Sequence, residues 1–84
     1  MKLPVISGKE ALKALERTGF VVVRQRGSHV RIKKVTSESV IKITIPIHET
    51  LDRGTLKGIL RNAGLTVEEF VGLFSLTKFS LSIS

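Results

Sequence analysis

Cysteine is absent from the 84-residue chain, which rules out a disulfide framework and thiolate metal sites. The two histidines, His29 and His48, are well separated in sequence and have no cysteine to join them, so neither a zinc site nor any other cofactor is expected. Tryptophan and tyrosine are missing too. The positive charges fall on strands, not on an amphipathic helix with aromatic anchors, which argues against attachment to a membrane surface. No apolar run reaches the length of a membrane span, and Met1 to Ser7 carries no stretch resembling a signal peptide, so the expected location is the cytoplasm. Acids are scarce, seven against fourteen lysines and arginines, for a net charge of +7. They are Glu10, Glu16, Glu38, Glu49, Asp52, Glu68 and Glu69, and none lies in a predicted strand. A purely basic sheet is the electrostatic footprint of a nucleic-acid binder. The length suits one small domain burying roughly 60–65% of its unfolded surface. Residues 1–74 are expected to form that domain, with 75–84 as a tail.

The stretch that organises the rest is Arg26-Gly27-Ser28-His29, between the β-rich runs Phe20 to Gln25 and Val30 to Val35. Gly-Ser between such runs predicts a two-residue hairpin loop of type II′, with glycine supplying the positive φ at the first central position. The register then pairs Arg26 with His29, Gln25 with Val30, Arg24 with Arg31, Val23 with Ile32 and Val22 with Lys33. Alternation places Val21, Val23, Val30 and Ile32 on one face. Arg24, Arg26, His29, Arg31 and Lys33 fall on the other. Arg24 opposite Arg31 is a like-charge cross-strand pair, unfavourable by some tenths of a kcal/mol unless a polyanion relieves it.

Along the chain, Ser7 and Glu10 fit a capping box that opens a helix over roughly 8–18, with Gly19 as its stop. A polar turn, Thr36 to Ser39, leads to a third strand, Val40 to Ile45, ended by Pro46. Even parity pairs Val35 with Val40, Lys33 with Lys42 and Ile32 with Ile43. Ile41, Ile43 and Ile45 therefore join the core face, and Lys42 and Thr44 join the basic one. A loop over 48–54 follows. Thr55 reads as the N-cap of a second helix, whose Leu56, Ile59, Leu60 and Ala63 share one face and whose stop is Gly64. Thr66 and Glu69 form another capping box, opening a short helix through Phe70 to about Phe74. The fold class is α+β: an α-β-β-β-α sandwich with a three-stranded antiparallel sheet, helices on one face and the basic face open. In the tail, Phe79, Leu81 and Ile83 alternate with serines in a strand pattern.

Three blocks are similar to the signature of HicA-type toxins: Gly19 to His29, Pro46-Ile47-His48, and Gly54 to Leu65. The resemblance spans about residues 3–71. It implies a double-stranded-RNA-binding-like fold and a ribosome-associated endonuclease that cleaves mRNA. It further implies a monomer when free, and a hetero-oligomer when neutralised by a HicB-type antitoxin encoded beside it. In that family the histidine of the Gly-Ser-His segment is catalytic, which maps onto His29. The tail has no counterpart.

The residues suit that chemistry. Metal-free RNA cleavage uses the substrate's 2′-hydroxyl as nucleophile. It needs a base for that proton and positive charge near the phosphorane. His29 supplies an imidazole, and Arg24, Arg26, Arg31, Lys33 and Lys42 supply charge. Gly27 permits the turn and clears space for a phosphate, while Ser28 completes the turn and offers a hydroxyl. His48, beyond the third strand, reads as a loop-fixing residue too distant to protonate the leaving group. That proton is left to water or a lysine. Lys57 and Arg61 read as a solvated helix side. A non-catalytic RNA- or DNA-binding module using the same basic sheet is the alternative function.

Overall fold

The computed structural model describes residues 3–73, so the expectations for residues 75–84 lie outside the described residues. The order is α1 (Gly8–Glu16), β1 (Val21–Arg26), β2 (His29–Val35), β3 (Val40–Pro46) and α2 (Arg53–Ala63), followed by helical residues 67–73. The strands form one antiparallel sheet in the order β1-β2-β3. The core is built from Ala11, Ala14 and Leu15 of α1, Leu56, Ile59 and Leu60 of α2, and Phe70. These pack on Val30, Ile32, Ile43 and Ile45 of the sheet. All the helices thus cover one face of the sheet, as the sequence predicts.

Local chemistry sets the helix ends. Ser7 accepts from the Glu10 amide at 3.1 Å while its own amide donates to the Glu10 carboxylate at 3.0 Å, the expected reciprocal cap. Thr66 and Glu69 make the same pair of bonds. The start of α2 departs from expectation. Its N-cap is Asp52, which accepts from the Thr55 amide at 2.8 Å and from the Thr55 hydroxyl at 3.1 Å. The helix thus begins inside the expected loop, because a carboxylate three residues upstream satisfies the free amide of Thr55. Gly64, with φ 72°, ends it.

The β2–β3 register agrees with the sequence reading throughout: Lys33 faces Lys42, Ile32 faces Ile43 and Val30 faces Ile45. Between β1 and β2 the predicted pairing holds from the turn to Arg24 and Arg31, then slips. Val22, not Val23, faces Ile32, and Val21, not Val22, faces Lys33, with a bulge at Val23. Phe20 supplies the reason. Unbroken alternation from Arg24 would put Val22 and Phe20 on the open basic face. One extra residue reverses the parity. It swings Phe20 into the core, where it is 2% exposed. Burying such a side chain is worth about 1.5–3 kcal/mol. The expected core role of Val21 and Val23 is corrected accordingly, since both stay about half exposed on the edge strand. Lys34 finishes the corner, its Nζ 5.9 Å from the centre of the Phe20 ring.

Candidate active site

The hairpin turn fixes the centre of the site. Gly27 has φ 58°, and no non-glycine residue among those described has a positive φ. A positive φ at the first central residue only is the pattern of a II′ turn. Arg26 and His29 face each other across it. On its other side His29 faces Pro46. The next bond in the ladder runs from the Ile47 amide to the Ser28 carbonyl at 2.6 Å. His29 and Pro46 are therefore a non-hydrogen-bonded pair, the closer kind, and the amide that proline lacks would have pointed away from β2.

The open face carries two rows beside the turn. Arg26, His29 and Pro46 form the first, and Arg24, Arg31 and Thr44 the second. Arg24, Arg26, His29, Arg31 and Thr44 line an open depression of about 180 Å³. Of the residues the sequence singles out, Arg24, Arg26, His29 and Arg31 are thus brought together. Gly27 and Ser28 form the turn above them. Lys33 and Lys42 lie four residues along the sheet, about 13 Å from His29 at the usual strand rise, and do not line the depression. They extend the cationic face. Lys57 and Arg61 are exposed on α2.

His48 is the functional candidate that sequence reasoning misplaces. It is not distant: its ring centroid lies 6.4 Å from that of His29, with the ring planes 74° apart. Two features of the backbone bring it there. The Ile47–Ser28 bond carries the ladder beyond Pro46, so His48 has the same parity as Pro46 and points to the open face. The His48 carbonyl then accepts the Gly8 amide at 2.9 Å, tying this segment to the start of α1. That approach requires glycine, since a Cβ on Gly8 would overlap the Pro46 carbonyl and lie 2.8 Å from the Ile47 Cα. The loop-fixing role expected of His48 is met by its backbone, which leaves its side chain available. A signal is present in the sequence. Continuing the β2–β3 register two residues past Pro46 makes His48 the diagonal neighbour of His29, a relation that brings Cβ atoms within about 7–8 Å.

Asp52 borders the His48 side. Its carboxyl is held below the usual carboxylate range, first by the hydrogen bonds from Thr55 and to a smaller extent by the charge of His48. Among the described residues, no three histidine, cysteine, aspartate or glutamate side chains gather as a metal site would require.

A small antiparallel sheet with helices behind it and a histidine in an arginine-lined hollow in front defines a compact basic protein with a solvent-facing site. The family model described as HicA toxin of bacterial toxin-antitoxin matches residues 8–65, from the start of α1 to just past α2. The chain belongs to the HicA toxin family and is a toxin of a toxin–antitoxin system. No curated protein matches it. No described helix is long and apolar enough to cross a membrane.

Proposed function

We propose that this toxin is a metal-independent endoribonuclease that cleaves mRNA through His29. The observation that carries the reading is the position of His29 in a hollow shared with Arg24, Arg26 and Arg31 on the uncovered face of the sheet. An imidazole there reaches a 2′-hydroxyl while the guanidiniums bind the phosphate and stabilise the charge that builds on it. Arg24 beside Arg31 costs stability in the free protein, and a bound phosphate removes that cost. Gly27, with nothing within 4 Å of where a Cβ would stand, leaves the turn open to the RNA backbone. Ser28 borders the same opening, and Lys33 and Lys42 continue the phosphate track along the strands.

The expected products carry a 2′,3′-cyclic phosphate or a 3′-phosphate, and EDTA leaves the rate unchanged. His29→Ala lowers cleavage by about 10²–10⁴-fold, the usual loss for a general acid–base group, and abolishes growth inhibition while the protein stays folded. A folded His29→Ala protein that cleaves normally would reject the assignment. RNA binding without cleavage by the wild-type chain would favour a non-catalytic RNA- or DNA-binding module. The antitoxin required by a toxin–antitoxin pair is, on this reading, of HicB type and covers the His29 face with acidic groups, since an anionic plug fits a basic hollow. Hydrogen-exchange protection of residues 24–33 in the complex is the expected sign.

A further inference from the structure

We infer that His48 is a second catalytic residue, the general acid that protonates the departing 5′-oxygen while His29 acts as the base. The inference rests on the endonuclease reading above and adds the half of the proton transfer that His29 leaves unassigned.

Three observations converge on it. First, the distance suits the task. In-line displacement at phosphorus puts the entering and leaving oxygens on opposite sides of the phosphoryl group, so base and acid must flank it. With centroids 6.4 Å apart and ring planes 74° apart, the two imidazoles stand side by side on the open face, close enough for a phosphoryl group lying across them to present one apical oxygen to each ring. Each ring then makes one hydrogen bond of about 2.8 Å. Both histidines are exposed, and no hydrogen bond to another described side chain or backbone group occupies either ring.

Second, the backbone that carries His48 is fixed on both sides. Its segment is bonded to β2 through the Ile47 amide and the Ser28 carbonyl, and to α1 through its own carbonyl and the Gly8 amide. The Leu51 amide donates to the Ile6 carbonyl at 2.8 Å and closes the segment from the far side. A catalytic side chain gains from such fixing, because misplacement of about 1 Å costs roughly 10²-fold in rate.

Third, the charges around the two rings differ in sign. His29 shares its hollow with three arginines, a setting that suits a bound phosphate. His48 has the Asp52 carboxylate as its charged neighbour, which its own charge helps to hold ionised.

The step balances without any further reagent. His29 takes the 2′-hydroxyl proton as O2′ bonds to phosphorus, the bond from phosphorus to O5′ breaks, and His48 delivers its proton to O5′. The products are a 2′,3′-cyclic phosphate and a 5′-hydroxyl end. Hydrolysis of the cyclic phosphate runs with the two roles exchanged.

The test uses the full chain and an RNA oligonucleotide carrying a site that the wild-type protein cleaves. It is made once with the natural 5′-oxygen at that site and once with a bridging 5′-sulfur. A thiolate leaves without a proton, so the sulfur substrate does not need the acid. His48→Ala is expected to slow cleavage of the oxygen substrate by about 10²–10⁴-fold and to cleave the sulfur substrate within about tenfold of wild type. His29→Ala is expected to fail on both. Should His48→Ala be poorly folded, His48→Asn gives the same comparison. Equal losses on the two substrates would mean that His48 binds or positions RNA, and normal cleavage of the oxygen substrate would mean that it does neither. Either result overturns the inference and leaves the endonuclease reading intact. Failure of the wild-type chain to cleave any RNA would overturn both.

Discussion

Gly8→Ala is the smallest change that tests how the site is assembled. Gly8 is the first residue of α1, and its amide bonds to the His48 carbonyl. An added methyl group would overlap the Pro46 carbonyl, with the Ile47 Cα at 2.8 Å and the Pro46 carbonyl carbon at 3.0 Å. All three atoms are backbone, so no side-chain rotation relieves the contact. Either α1 or the segment after β3 must move. Overpacking of this kind costs about 1–3 kcal/mol, and losing the amide–carbonyl bond adds about 0.5–1.5 kcal/mol. The helical gain of alanine over glycine, about 1 kcal/mol in a helix interior, is reduced at a first position. A net loss of about 1–3 kcal/mol is expected, and each kcal/mol lowers the melting temperature of a domain this size by about 4–8 °C. Thermal and urea unfolding followed by circular dichroism would measure it. Gly58→Ala is the control: it sits inside α2 with nothing within 4 Å of the new methyl group, and should stabilise by about 0.5–1 kcal/mol. The folded fraction of Gly8→Ala should also cleave RNA more slowly, because His48 moves with its segment. A Gly8→Ala protein as stable as wild type would refute the close approach of α1 to Pro46 and Ile47.

Two further outcomes follow from the charges. Arg31→Glu, inside the hollow, should depress cleavage more than RNA binding. Lys33→Glu, outside it, should weaken binding and flatten the log–log salt dependence by roughly 0.7 for each single-strand phosphate no longer neutralised, and equal effects of the two variants would contradict the geometry. The carboxyls of Asp52 and Glu69 are both lowered, chiefly by bonds from the backbone amides of Thr55 and Thr66. A lowered folded value means the caps stabilise fully above the ordinary values of 3.8 and 4.5 and lose that contribution as pH falls through the folded ones. Urea midpoints should therefore drop on acidification, and Asp52→Asn should flatten the fall; an unchanged acid limb would count against the cap.

The residues legible in the sequence are those whose constraints are local or strictly alternating. β2 and β3 alternate cleanly, so their register can be read residue by residue, and with it the cationic face. Ser7 with Glu10 and Thr66 with Glu69 reveal two helix starts because each cap lies within four residues. Val21-Val22-Val23 has no alternation, so the sequence offers no local sign of the bulge; only the need to bury Phe20 decides the parity. Asp52 is obscured by Arg53 and Gly54, which resemble loop more than helix. Gly8 looks like part of a cap, and its contact with Pro46 and Ile47 is invisible without the fold. His48 is within reach of the register argument, but proline at 46 suggests that the strand logic stops there.

The bulge at Val23 also bears on how this protein survives at working concentration. β1 is an edge of the sheet among the described residues, and its three valines are about half exposed. A straight, valine-rich edge would be a template on which another copy could lay its own strand. The inserted residue bends the edge and breaks the even spacing of free amides and carbonyls that such pairing needs. Arg24 and Arg26 add like-charge repulsion between copies. Deleting Val23 would restore a regular ladder, so a one-codon change would leave a straight edge on which copies could associate.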